Sequence, residues 1–170
     1  MPISDDRERR DSRRLVIVRH AKSAWPDGVP DPERPLNARR RRDAPAAGRW
    51  IRDRIGHLDA VVCSPATRTR QTWRLLAGEL TGPPAAVFDD RVYAASVDTL
   101  LAVVRALPDD VGTALLVSHN PGVAELVAAL TGEELEMKTS AIAVVGFGGS
   151  WADIASGRAV VVDQATPRGS

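Results

Sequence analysis

The sequence predicts an α/β fold, a three-layer α/β/α sandwich with a mainly parallel sheet, on three observations. Short charge-free runs of β-branched and other apolar residues recur along the chain, stretches with helical spacing of apolar residues separate them, and turn residues fall between the two kinds. Charge-free strands belong to a sheet covered on both faces. Strands that alternate with helices connect in parallel.

The elements follow in order. Leu15-Val16-Ile17-Val18 is the first buried strand, and it ends at Arg19-His20. Trp25 to Pro35 is a loop rich in proline and aspartate. Asn37 is a candidate N-cap for a helix whose apolar positions Ala44, Ala47, Trp50, Ile51 and Ile55 repeat at helical spacing; Pro45 implies a kink or a later start, and Gly56 ends it. Leu58 to Cys63 reads as a second buried strand, followed by Ser64-Pro65 and a helix to about Leu80. Pro83-Pro84 breaks the chain, Val87-Phe88 is a weak strand, and Val97 to Leu107 is a helix closed by Pro108. Ala114 to Val117 is a third strong strand leading into Ser118-His119-Asn120-Pro121-Gly122, then a helix from Val123 to Leu130 capped by Gly132. Ala141 to Phe147 and Ala159 to Val162 complete the strands. Residues 1–13 read as a disordered charged tail, 14–164 as one domain and 165–170 as a C-terminal tail.

Composition excludes several classes. With 44% hydrophobic and 26% charged residues the chain is neither disordered nor fibrous. The longest apolar run, Ala141 to Phe147, is far shorter than the roughly 20 residues of a membrane span, and the charged start lacks the apolar core of a secretory leader. A cytoplasmic protein without membrane partners is the expectation. Cys63 stands alone, so an internal disulfide and a cysteine-rich metal site are excluded. The net charge of +1 offers no strong field for nucleic acid, and the arginine-rich stretches 7–14 and 39–42 carry no interleaved aromatics.

Ligands of open α/β sheets bind beyond the carboxyl ends of the strands. The first strand delivers Arg19 and His20 there, the second Ser64 and, one helical turn later, Arg68, and the third His119 and Asn120. Two histidines and two arginines with no carboxylate among them suit a dianionic phosphate, which arginine grips bidentately. The helix N-terminus after Pro65 adds its dipole. A histidine beside two guanidinium groups has its charged form disfavoured, so one imidazole stays neutral and nucleophilic near pH 7. In-line attack on phosphorus becomes possible, with Arg19, Arg68 and the second histidine on the equatorial oxygens; one lost donor in such a role costs about 10²- to 10³-fold.

Three blocks carry a family resemblance. Arg19-His20-Ala21-Lys22-Ser23 resembles the RHxxS signature of the histidine phosphatase superfamily, also called phosphoglycerate mutase-like; Ser64-Pro65-Ala66-Thr67-Arg68-Thr69-Arg70-Gln71-Thr72 is similar to its second block; Ser118-His119-Asn120-Pro121 resembles the third. The Ala-Lys pair after Arg-His, the later Arg34-Pro35-Leu36-Asn37 and the His-Asn-Pro ending look most like the SixA group of protein phosphohistidine phosphatases. The resemblance implies that His20 is a nucleophile that becomes phosphohistidine, that Arg19, Arg68 and His119 complete the catalytic set, and that neither metal nor organic cofactor takes part. Lys22, Ser23, Trp25 and Asn120 are the substrate-binding candidates at the mouth. The implied partner is a phosphate-bearing substrate, phosphohistidine in a partner protein.

Two departures from the family pattern matter. Many members place a Glu general acid after the middle of the chain, where this sequence reads Arg91-Val92-Tyr93-Ala94, with alanine at the expected position. An alkoxide leaving group needs a proton, whereas imidazole, with a pKa of about 6.5, leaves more readily, which favours a phosphohistidine substrate. The second departure is Arg40, where the family often has glycine: four arginines in a first turn oppose the helix dipole, so either the helix starts late or the run attracts an acidic partner. A tyrosine-phosphatase-type cysteine loop does not fit, because Arg68 and Arg70 fall one residue short of and one beyond its Cys-to-Arg spacing from Cys63, which reads as a buried strand residue. His57 reads as a surface residue and Asp89-Asp90 as a turn. Two alternatives stand beside the SixA-like reading: a small-molecule phosphomonoesterase of the same fold, and a phosphate-binding module without turnover.

Overall fold

A computed structural model describes residues 12–169. Its sheet has six strands: β1 (Ser12–Arg19), β2 (Ala60–Cys63), β3 (Ala86–Phe88), β4 (Thr113–Ser118), β5 (Ile142–Gly148) and β6 (Val160–Ala165). The spatial order is β3-β2-β4-β1-β5-β6. The first four in this row run parallel, β5 runs antiparallel to β1, and β6 runs antiparallel to β5. Four α-helices cover it: α1 (Asp43–Arg54), α2 (Thr67–Ala77), α3 (Val97–Arg105) and α4 (Gly122–Thr131).

Alternation along the central strands sorts the core into two layers. Val16 and Val18 of β1 and Leu115 and Val117 of β4 pack with Ala47 and Ile51 of α1 and Trp73 and Leu76 of α2. Leu15, Ile17 and Leu116 face the other way, onto Leu100 and Val104 of α3 and Leu126 and Leu130 of α4. Every residue of β4 is buried, as the middle of a doubly covered sheet requires. This is the predicted α/β/α sandwich.

Several boundaries move. β1 begins at Ser12 rather than residue 14, because Ser12 and Arg13 still pair with Gly148 and Phe147 of β5; residues 1–11 of the expected tail lie outside the described residues. The helix expected from Asn37 starts at Asp43, the later of the two options that Pro45 left open. Asn37 instead caps a single 3-10 turn, Ala38–Arg40, its side chain accepting from the Arg39 amide at 2.9 Å. Within α1, Pro45 falls in the first turn, where its missing N–H has no partner to lose. The C-terminal stretch is fastened: the Gly169 amide donates to Asp43 Oδ1 at 2.9 Å and Arg168 Nη1 to the Thr139 carbonyl at 2.9 Å.

Candidate active site

The order β2-β4-β1 brings the carboxyl ends of the three strongest sequence strands side by side. Two ladder-like bonds continue past the strands, from the His20 amide to Ser118 O (3.2 Å) and from the Ser64 amide to Val117 O (3.0 Å). They fix the backbone of three segments at once, so Arg19-His20, Ser64 and His119-Asn120 converge although 99 positions separate His20 from His119. A cavity of ≈ 710 Å³ opens there, lined by Arg19, His20, Arg68 and His119 among others.

His20 is 5% and His119 7% exposed, with ring centroids 5.2 Å apart. His20 Nδ1 lies 2.6 Å from the Ala21 carbonyl, which can only accept, so Nδ1 carries the proton and Nε2 the lone pair. Burial holds the His20 pKa down to about 3, with further lowering from His119, Arg68 and Arg19. Burial likewise holds His119 to about 4, with Arg68 next in weight. Both rings are neutral at pH 7, and desolvation outweighs the guanidinium charges that the sequence suggested as the cause.

Arg19 Nη1 donates to the Met137 carbonyl at 3.1 Å, and Asn120 Nδ2 to the same oxygen at 2.7 Å. His119 Nε2 is 2.7 Å from Ser64 Oγ. Among the described residues, the buried side-chain polar atoms without a partner include Arg19 Nε, Arg68 Nε, His119 Nδ1 and Asn120 Oδ1. Buried polar groups are nearly always paired, so four unpaired ones around a single cavity mark a place for a polar ligand. Among the same residues no group of three His, Cys, Asp or Glu side chains is gathered as for a metal ion.

One feature corrects the sequence reading of a pocket without carboxylates. The loop between Ala24 and Pro35 starts and ends side by side, through the Ser23–Leu36 bridge and the bond from the Asn37 amide to Lys22 O. It returns Asp31 to the cavity. Asp31 Oδ2 accepts from Arg68 Nη2 at 3.1 Å and from the Tyr93 hydroxyl, while Oδ1 accepts from Arg34 Nε at 3.0 Å. The Tyr93 bond and then Arg68 hold its carboxyl down to about 2. Irregular loops have no periodicity, so the sequence held no signal for this placement.

The sequence and the fold are similar to those of known proteins. Residues 15–92 match the family model described as Histidine phosphatase superfamily (branch 1). Escherichia coli K12 phosphohistidine phosphatase SixA is 32% identical over 135 residues, spanning 77% of this chain and 83% of that protein. The chain belongs to the histidine phosphatase superfamily. An uncharacterized protein of Mycobacterium tuberculosis H37Rv is 39% identical over 162 residues, 89% of this chain and 100% of the relative. Among solved structures, one assigned as a SixA phosphohistidine phosphatase from Nakamurella multipartitia superposes with a TM-score of 0.83 at 32% identity, covering 92% of this chain and 96% of that one.

The remaining sequence candidates of this histidine phosphatase superfamily member lie around the mouth. Lys22 is exposed on the rim. Ser23 is buried, and its hydroxyl accepts from Arg34 Nη1 at 2.9 Å. Trp25 is 77% exposed, with the Arg34 guanidinium 3.4 Å from its ring centroid. Arg34, Tyr93 and Asp31 are cavity residues absent from the candidates read in the sequence. Ala94, which the sequence reading set against the family's Glu, lines the cavity with φ of 49°. Cys63 is buried, which pushes its thiol up to about 12 and leaves it no nucleophile. His57 is exposed beside Asp59, and Asp89 caps a 3-10 turn, both outside the cavity. No helix among the described residues is long and apolar enough to cross a membrane.

Proposed function

We propose that this member of the superfamily is a phosphatase that works through a phosphohistidine on His20 and removes phosphate from phosphohistidine in a partner protein. The observation that carries the proposal is the His20 ring: Nδ1–H is committed to the Ala21 carbonyl, so the Nε2 lone pair belongs to a cavity that also holds Arg19, Arg68 and His119. Nε2 attacks phosphorus in line. The P–N bond to the substrate imidazole breaks, and its electron pair goes to that nitrogen, which leaves as neutral imidazole when the far nitrogen of the ring is protonated. Arg19 and Arg68 stabilise the equatorial oxygens.

The intermediate keeps the Nδ1 proton, so His20 is phosphorylated as a cationic ring. Such a ring is a good leaving group when water attacks phosphorus: the P–N bond breaks, its electrons return to Nε2, and both protons of the water leave on the released dihydrogen phosphate, which gives up one of them to solvent near neutral pH. No general acid of glutamate type is needed in either half, which agrees with Ala94 at that position. Trp25 and Lys22 meet the polypeptide around the phosphohistidine, Asn120 adds a polar contact, and Ser23 acts by holding Arg34. Further support comes from the relatives: the E. coli protein is named a phosphohistidine phosphatase, and a SixA structure complexed with tungstate, a tetrahedral oxyanion, superposes at a TM-score of 0.79 with 28% identity.

The test is hydrolysis of a phosphohistidine protein beside a panel of small phosphate esters, with EDTA present, for the wild type and His20→Ala. Loss of phosphohistidine that vanishes in the variant is expected. Turnover of the esters alone would retain the nucleophile and overturn the substrate; absence of all turnover would leave a phosphate-binding module.

A further inference from the structure

The arginine run at 39–42 has no part in the cavity, yet bonded contacts connect it to the cavity rim on two sides. On one side the Asn37 amide donates to the carbonyl of Lys22, a rim residue, at 2.7 Å, and Asn37 caps the turn that carries Arg39 and Arg40. On the other, Asp43 is 1% exposed and receives Arg40 at 3.8 Å and Arg168 at 3.4 Å. Arg168 Nη1 also donates to the carbonyl of Thr139, again a rim residue, next to exposed Lys138. The segments are closely fitted: a side chain at Gly169 would place its first carbon 2.4 Å from the Arg42 carbonyl, so glycine is required for the C-terminal stretch to close on the run.

The result is a cationic crescent on one side of the mouth, all of its cations exposed and its single bonded carboxylate, Asp43, buried beneath it. Arginines in the turn before α1 work against the helix dipole, so folding alone gives no reason for the run. The opposite side of the mouth carries Glu125 of α4, on the other face of the sheet. A long polyanion laid across the mouth would meet that carboxylate, whereas a protein segment acidic on one side of its phosphohistidine fits both halves.

We propose that Lys22, Arg39, Arg41, Arg42, Lys138 and Arg168 form a docking surface for an acidic segment flanking the phosphohistidine of the partner protein. The inference rests on the phosphatase reading above and adds the chemistry of the partner. Charge complementarity of this kind raises the encounter rate and is screened by salt.

The test uses two synthetic phosphohistidine peptides, one flanked by glutamates and one by serines, with the wild type and the triple variant Arg39→Gln, Arg41→Gln, Arg42→Gln. These exposed residues contact no catalytic group, and their loss relieves the helix dipole, so the variant folds. At low salt the wild type is expected to favour the acidic peptide by about tenfold in kcat/KM. That preference disappears in the triple variant and at about 1 M salt, where the screening length is about 3 Å, while the serine peptide is turned over equally by both proteins. No preference, or a preference that survives the triple substitution, overturns the proposal, as does a single-stranded oligonucleotide that competes better than the acidic peptide. If neither peptide is turned over, the phosphatase reading fails, and the surface is judged on binding of the acidic peptide by fluorescence anisotropy, which the triple variant must lose.

Discussion

Arg68 donates Nη1 to the backbone carbonyl of Asp31 at 2.7 Å and Nη2 to its carboxylate at 3.1 Å, so a single loop residue holds both arms of the guanidinium. Among the described residues, only its Nε is left without a partner. A carboxylate thus occupies hydrogen bonds that a phosphate would use, and Tyr93 and Arg34 hold it there. Removing its charge should favour anions. Asp31→Asn is expected to tighten inorganic phosphate about tenfold, equivalent to about 1.4 kcal/mol, as measured by calorimetric titration. Unchanged or weaker binding would show that Asp31 orients Arg68 without competing for it.

The two buried histidines predict an acid-labile fold. Their folded pKa values, about 3 and about 4, lie below the ordinary 6.5. Between those values the unfolded chain binds protons that the folded protein refuses, so stability is full above about pH 6.5 and falls as pH drops through the window, by about 1.4 kcal/mol per pH unit for each histidine. Asp31, held to about 2, contributes stability that is fully present above the ordinary carboxylate value and is lost only as pH falls from there towards 2, so it does not overlap the upper part of this window. Urea unfolding at pH 6.5 and 5 should show the loss, and His119→Asn should reduce it by about half. Equal stability at both pH values would mean that one or both rings are charged in the folded state.

What the sequence made legible was what periodicity and strand ends encode. The run Leu15 to Val18 and the run Ala114 to Val117 identified the two central strands, and with them the placement of Arg19, His20 and His119. The helix before Ile55 was legible in its body and not in its start, because the choice between Asn37 and Asp43 depends on the dipole and on tertiary contacts of Asp43 with Arg168 and Gly169, more than a hundred positions away. Asp31, Arg34 and Tyr93 escaped for a related reason. Their positions follow from a loop pinned at Ser23–Leu36, a long-range pairing that no local pattern announces.

Trp25 tests the rim. With 77% of its surface exposed and Arg34 against one side of the ring, it stabilises the fold little and leaves area for a ligand. Trp25→Ala is expected to raise KM for a phosphohistidine peptide about threefold to tenfold, as for a contact worth about 1 kcal/mol, with kcat and the unfolding midpoint unchanged. A fall in kcat with KM constant would instead place the ring in the chemical step.

Ser64 separates positioning from contact with substrate. Its hydroxyl is fully buried, 2.7 Å from His119 Nε2, and accepts weakly from the Ala66 amide at 3.4 Å. With the amide as donor, the hydroxyl proton is free to go to Nε2, which leaves the His119 proton on Nδ1, an atom without a partner among the described residues. Ser64 thereby fixes the tautomer in which neutral His119 is a hydrogen-bond donor. Ser64→Ala removes the fixing bond and is expected to lower kcat about tenfold, within the loss of about 1–3 kcal/mol for a buried partner left unpaired, with a smaller change in KM. Nitrogen NMR of the His119 ring should show the Nδ1–H form in the wild type and a mixture in the variant. An Nε2–H ring in the wild type would reverse the assignment, making Ser64 the acceptor and leaving Nδ1 as a base rather than a donor.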